Sequence, residues 1–423
     1  MQLKHSFGSK SLKDFSNLFF SNIFQKALGL IRELVIAFFL GSSILYANFL
    51  LLRVVADFFS QITAGNALKA NLLPKFTKLY QKNKAISLTQ VFLFSKSTSI
   101  YLFIFSQIIQ TGVIFYLNLG DNLLFFGISL ILSCSICFNF INTIFLTIIQ
   151  ARGLFLKYSY ASVTNSVVFT LLVYPLISFG SVIGLAISRL IGILSMSLAF
   201  VKPMKNENTG VEIKLKHSDF NLPTLVLGNF ANIIIITSRF VAGADGSNGI
   251  AFFMYAVVIL NALLTSVVGN VSTILLRKIS IDKNKKFMIY SLLITLVIGL
   301  LMVVGLHFYS HDVIKAVYLR GAFNLSDVQQ TSEYLYDLSF SFLLLFMATI
   351  LFQPFLSLSI IETKGTRLKI VAVFVVVLFL SCCVVFTPYL LPKEKSLFVM
   401  YSASFTSFAL AVYTYIKYLK NEK

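Results

Sequence analysis

The chain has 423 residues, 57% hydrophobic and only 12% charged, with a mean hydropathy of +0.85. Soluble domains carry roughly 45–50% apolar and about 25% charged residues, so a water-soluble globular protein is excluded. A net charge of +19 raises nucleic acid as a partner, and only the placement of the charges removes it.

Taken in chain order, apolar stretches recur at 15–40, 45–73, 91–117, 122–150, 158–178, 181–201, 222–241, 249–275, 287–308, 331–361, 366–390 and 396–416. About 20 such residues suffice to cross a ~30 Å hydrocarbon core as a helix. The expected fold is therefore an all-α polytopic membrane protein. It has about twelve transmembrane helices in two six-helix lobes around a central cavity. Residues 1–202 form the N-lobe, 203–221 a cytoplasmic linker loop and 222–423 the C-lobe. No small-residue cleavage site follows a short apolar core, so the first span is expected to be retained rather than removed as a signal peptide.

The loops divide by charge. One side receives Lys4, Lys10 and Lys13, then Lys75, Lys78, Lys82 and Lys84, then Arg152 and Lys157. It also receives Lys202, Lys205, Lys214 and Lys216, the run Arg277 to Lys286, Lys364, Arg367 and Lys369, and the C-terminal lysines. The other side has only Lys315, Arg320, Lys393 and Lys395, with Asp121, Asp245, Asp312 and Asp327 among its acids. By the positive-inside rule both termini lie in the cytoplasm and the helix count is even. Most of the net charge is thus a topology signal, and nucleic acid drops out as a partner.

The two halves echo one another. Ala47-x-Phe49 precedes Gly65-Asn66, and Ala251-x-Phe253 precedes Gly269-Asn270 at the same spacing, with Asp57 and Asn261 at matching places. Weak internal symmetry of this kind marks transporters whose site lies between repeats.

Charges at membrane depth cost at least ~2.5–3.5 kcal/mol each on insertion scales, so they face a protein interior or a wet cavity. The first span carries Lys26, Arg32 and Glu33; Lys26 and Glu33 share one face with Gly29 between them. In the second span Arg53 and Asp57 are spaced for an intrahelical ion pair, and Gln61 extends that face. Thr63, Asn66 and Lys69 flank it, and the seventh and eighth spans add Asn229, Asn232, Ser238, Arg239, Asn261, Thr265, Ser266 and Asn270. Arg239 and Lys69 lie near helix ends, where snorkelling to an interface is expected. Lys26 and Arg32 have only Glu33 nearby, and this surplus of buried cation suggests a phosphate-bearing ligand. The candidate substrate-binding set is Lys26, Arg32, Glu33, Arg53, Asp57, Gln61 and Asn261.

No enzyme constellation appears, and no catalytic or metal-binding residue is assigned. Cys134 and Cys137 have CxxC spacing without a further His or Cys to complete a site, and no carboxylate motif accompanies His307 and His311 at their i,i+4 spacing. There is no Walker loop, hence no intrinsic ATP drive and no cofactor; coupling to the membrane potential or to a cation stays open.

The segments "KALGLIRELVIAFFLGSS" and "NALKANLLPKF" resemble the opening of the lipid II flippases (MurJ/MviN type) of the multidrug/oligosaccharidyl-lipid/polysaccharide exporter superfamily. "GNVSTILL", "VYLRGAFNLSDVQQTSEYLYDLSFSFL" and "ETKGTRLKI" follow in the family's order. The resemblance implies a transporter, not an enzyme, in the bacterial inner membrane. Its cargo would be an undecaprenyl-pyrophosphate-linked saccharide such as the lipid II peptidoglycan precursor, flipped by alternating access by a protein expected to act as a monomer. Lys26 and Arg32 match the family's basic pair in the first helix and Glu33 its acidic neighbour. The chain departs from the pattern too. The family's second-helix Asp falls at Ala47, its basic pair at Ser60 and Gln61, and its eighth-helix Arg at Val258, while Arg53 and Asp57 are this chain's own. The resemblance also implies two further C-terminal helices, thought to form a lipid-tail groove, beyond the twelve spans read here.

Three alternatives compete with lipid II. A flippase for an O-antigen or capsule unit would keep the same cationic site. A cation-coupled exporter of small molecules would favour membrane-embedded acids, whereas bases outnumber acids here. A membrane-embedded polymerase or ligase would need large outer loops, and the sizeable outer segment 309–330 offers only His311, Asp312, Arg320 and Asp327.

Overall fold

With no water in the bilayer core, a spanning backbone must satisfy its own amides, and a chain without alternating strand patterns does so as helices. A computed structural model describes residues 3–64, 72–73, 75–77, 79–80, 87–204, 222–262, 285–357 and 360–421, and contains no strand among them. The first four helices are α1 (Leu3–Leu40), α2 (Ile44–Ala64), α3 (Leu88–Leu117) and α4 (Asn122–Ala151). The stretch Phe155–Met204 breaks at Ser181 (φ 48°, ψ −128°) into α5 (155–180) and α6 (182–204). The rest are α7 (Leu222–Val241), α8 (Gly249–Ala262), α9 (Lys285–Tyr318), α10 (Leu325–Ser357), α11 (Ile360–Cys382) and α12 (Pro392–Asn421). Among the described residues eight stretches are long and apolar enough to cross a membrane, one of them containing both α5 and α6. The chain is an all-helical, multi-pass membrane protein.

Turn chemistry sets the helix ends. Asn118 closes α3 in the left-handed region (φ 46°), and the Asp121 side chain caps α4 by accepting from the Leu124 N–H at 3.1 Å. Between α5 and α6 a Cβ on Gly184 would lie 1.8 Å from the Leu176 carbonyl oxygen, so only glycine permits this hairpin. The segment 309–330 is not a loop: α9 continues to Tyr318 and α10 begins at Leu325. The reason is a capping box. The Asn324 N–H donates to Asp327 Oδ2 (2.9 Å) and the Asp327 N–H donates to Asn324 Oδ1 (3.0 Å).

The helices gather into two compact units, Met1–Phe39 with Val55–Leu225 and Leu40–Val54 with Val226–Lys423. In the first, α4 packs against α3 and against the α5–α6 hairpin. Its core joins Phe140, Ile144, Ile148 and Ile149 of α4 to Leu72, Phe76, Val91, Ala161 and Met196. Polar links between α3 and α4, Ser106 to Ser133 and Gln107 to Ser129, supply interhelical bonds where the hydrophobic effect between helices is weak. Phe105, Ile108 and Phe115 of α3 point outward, as lipid-facing residues do.

In the second unit α10 packs against α9 and α12, and α11 against α12. The α1–α2 turn and the first half of α2 belong to this unit although they lie early in the chain. Tyr46, Ala47 and Leu50 to Leu52 are completely buried there. The Tyr255 hydroxyl donates to the Gly41 carbonyl (2.7 Å), and the Ser42 hydroxyl donates to Asp327 Oδ1. Gly41 (φ 51°) sits so close to α10's leading turn that a Cβ would lie 2.6 Å from the Ala322 carbonyl oxygen.

Candidate functional site

The charged residues of α1 lie in the first unit. Helix α1 is tied to α5: the Ser162 hydroxyl donates to the Gln25 side-chain Oε1 at 2.8 Å and the Thr170 hydroxyl to the Leu28 backbone carbonyl at 3.3 Å. Long helical side chains run back toward their helix N-terminus, and Arg32 does so, its guanidinium passing over Gly29, which has no side chain in the way. The Arg32 guanidinium carbon then sits 4.3 Å from the centroid of the Phe169 ring on α5. A guanidinium is planar and weakly hydrated, which suits an aromatic face. Arg32 Nη2 is 3.7 Å from Glu33 Oε1; the arginine side chain keeps 19% of its surface accessible, the glutamate 3%. Lys26 is half-buried one and a half turns earlier.

Asp57 of α2 has a partner that helix spacing did not foresee. Arg189 Nη2 of α6 lies 2.6 Å from Asp57 Oδ1, with 16% and 19% of the two side chains accessible. The intrahelical Arg53–Asp57 reading therefore omitted an interhelical partner. Sequence reasoning passed over Arg189, although an arginine in the middle of the sixth span carries the same signal that singled out Arg32. Gln61 is half-buried in the first unit, whereas Arg53 and Asn261, also half-buried, belong to the second. So the structure gathers Lys26, Arg32, Glu33, Asp57 and Gln61 in one unit and adds Arg189 to them. Gly65, Asn66, Lys69, Thr265, Ser266 and Asn270 lie outside the described residues.

Two basic residues of the second unit correct their sequence readings. Arg239 does not snorkel: it is 5% exposed, with Nη1 3.0 Å from the Met254 sulfur of α8. Arg367, read as a loop charge, lies in α11 and is 1% exposed, because the helix starts at Ile360 and carries it inward.

The charges singled out on α1, α2 and α6 in the first unit thus comprise two arginine–carboxylate pairs plus a lysine, a net cation. Partly accessible guanidiniums can donate paired N–H bonds to phosphate oxygens.

Solved structures share this fold. A lipid II flippase MurJ in an inward closed conformation superposes with a TM-score of 0.78 at 19% identity, over 94% of this chain and 87% of that one. An inward-facing multidrug resistance MATE family transporter of the MOP superfamily gives 0.70 at 14% identity, over 93% of each chain. An outward-facing transporter of the same kind gives 0.64 at 15%, over 96% and 94%. No curated protein matches the chain by sequence. The profile of the lipid II flippase MurJ family matches residues 36–423, beginning just past Lys26, Arg32 and Glu33. That span is most of the chain, and the chain belongs to the lipid II flippase MurJ family, a family of lipid flippases rather than enzymes.

Proposed function

We propose that the chain translocates an undecaprenyl-diphosphate-linked saccharide, a lipid II-like precursor, across the bacterial inner membrane, with both termini in the cytoplasm. The observation that carries this reading is Arg32: a partly accessible guanidinium whose central carbon lies 4.3 Å from the centroid of the Phe169 ring, beside a buried carboxylate. With Glu33 and Asp57 set against Lys26, Arg32 and Arg189, the set keeps a surplus positive charge that the two negative charges of a diphosphate diester offset and a cationic drug would only increase. The family's flippase role supports the same cargo class.

Transport proceeds by alternating access, residues 1–202, save for the 40–54 segment, rocking against 222–423 with 203–221 as tether. The 40–54 segment travels with the second body, since the Tyr255–Gly41 and Ser42–Asp327 bonds hold it there. A saccharide from another lipid-linked pathway would use the same diphosphate contacts, so the diphosphate is the recognised element. The test is Arg32→Ala in cells that depend on the protein. Membrane abundance should stay near normal while precursor accumulates on the cytoplasmic side. Normal flux with normal abundance would contradict the assignment of Arg32. Labelling of single cysteines from outside should succeed near residue 245 and fail at residues 80, 210 and 280; the reverse pattern would overturn the orientation.

A further inference from the structure

Phe169 is a partly buried ring of α5 that lies under the Arg32 guanidinium. It lies beside Thr170, whose hydroxyl pins α5 to the α1 backbone at Leu28, so the ring's height along α1 is fixed. On its other side α6 comes unusually close. A Cβ on Gly192 would fall 2.9 Å from the Phe169 Cβ and 2.8 Å from Asn165 Oδ1, so only glycine allows α6 to pass here. Arg189 stands three residues before Gly192, one turn away on the same helix face. Arg32, Phe169, Gly192, Arg189 and Asp57 are therefore linked through α1, α5, α6 and α2 of a single unit.

We propose that Phe169 is a positioning residue for the headgroup site. Its ring fixes the plane of the Arg32 guanidinium, Gly192 lets α6 pass against the base of the Phe169 side chain, and Arg189, oriented by Asp57, is the second cation that meets the diphosphate. The proposal rests on the functional reading above. The Arg32–Glu33 separation of 3.7 Å is an ion-pair distance that leaves the guanidinium plane to be set elsewhere. Stacking on a ring face sets that plane while directing the N–H donors sideways, toward a planar or tetrahedral oxyanion. A lysine could not be held in this way, because an ammonium is a point charge with no plane to stack.

The experiment uses the full chain in lipid nanodiscs, with undecaprenyl diphosphate as probe and undecaprenyl monophosphate as reference. Phe169→Leu should weaken diphosphate binding about tenfold, while Phe169→Tyr and Phe169→Trp, which keep a ring face, should stay within about threefold of wild type. Phenylalanines bearing one, two and three ring fluorines at position 169 keep the shape and drain the ring face of negative charge, so affinity should fall stepwise even if Phe169→Leu fails to fold. On an Arg32→Ala background the fluorine series should be flat. Full affinity in folded Phe169→Leu, equal losses in Phe169→Leu and Phe169→Tyr, or a flat fluorine series with Arg32 present would each overturn the positioning role. A wild-type chain that does not bind the diphosphate at all removes the functional reading itself, an outcome distinct from any of these.

Discussion

The two units hold the same kinds of charged side chain in different ways. In the first, Arg32 and Arg189 are anchored by an aromatic face and a carboxylate, yet 19% and 16% of the side chains stay accessible. In the second, Arg239 and Arg367 are sunk to 5% and 1% exposure. Other polar contacts there, such as Ser42–Asp327 and Lys393 with Glu333 and Asp337, tie the leading turns of α10 and α12 to their neighbours. Fully burying a charge costs several kcal/mol and is tolerated where surrounding groups pay it back as architecture. A charge held rigid but still reachable is what a transient anionic cargo requires. On our proposal the cargo's diphosphate meets the first unit's arginines, while Arg239 and Arg367 of the second serve the scaffold.

The largest effects should separate these roles outright. Arg32→Ala should cost the cargo at least about 2–5 kcal/mol of interaction, roughly a 30-fold or greater loss of transport, with little change in thermal stability. Arg239→Ala and Arg367→Ala should do the opposite, lowering the amount of folded protein, because each removes a large, almost fully buried side chain, a loss of about 2–5 kcal/mol. Size-exclusion profiles and thermal unfolding of the three variants would show whether the division holds; equal destabilisation in all three would erase it.

Gly41→Ala forces a side chain into a left-handed backbone position and against the Ala322 carbonyl. It should destabilise by about 2–4 kcal/mol, from strain and overpacking together, and loosen the 40–54 segment in hydrogen exchange. Asp57→Asn should cost about 1–3 kcal/mol, less than a fully buried pair, because both partners are partly accessible. The exchanged pair, Asp57→Arg with Arg189→Asp, should regain most of that stability but not transport, since the cation then sits on the wrong helix. Recovery of both would make the pair purely structural. The smallest effect belongs to Lys393→Ala, at most about 1 kcal/mol and shrinking with salt, because the bridge to Glu333 and Asp337 is solvent-accessible.

Much of the fold was legible because apolar length is a strong signal: the twelve spans read from the chain correspond to α1 through α12. Turn residues could have sharpened it, since Asn324 and Asp327 spell a helix start inside a segment read as a loop. Part of the candidate site was legible as well. Lys26, Arg32 and Glu33 stand out against an apolar helix. Periodicity relates residues within one helix and is silent on partners between helices, so Arg189 as the mate of Asp57 could not be read from spacing. Phe169 was invisible for another reason: a phenylalanine in a chain with 44 of them looks like lipid-facing filler until the ring is seen under Arg32. Arg367 misled because a basic residue beside Lys364 and Lys369 reads as a loop charge, and only the helix phase turns it inward.

The central claim is that a diphosphate is recognised by the first unit's arginines. Its most direct test is transport in reconstituted vesicles of two undecaprenyl lipids with the same saccharide, one linked by diphosphate and one by monophosphate. The wild-type chain should move the diphosphate form at least about tenfold faster, since removing one charged partner of a paired phosphate contact costs more than 1 kcal/mol. Arg32→Ala should lose that preference and the transport with it. Equal rates for the two lipids, or a preference that survives Arg32→Ala, would contradict the account.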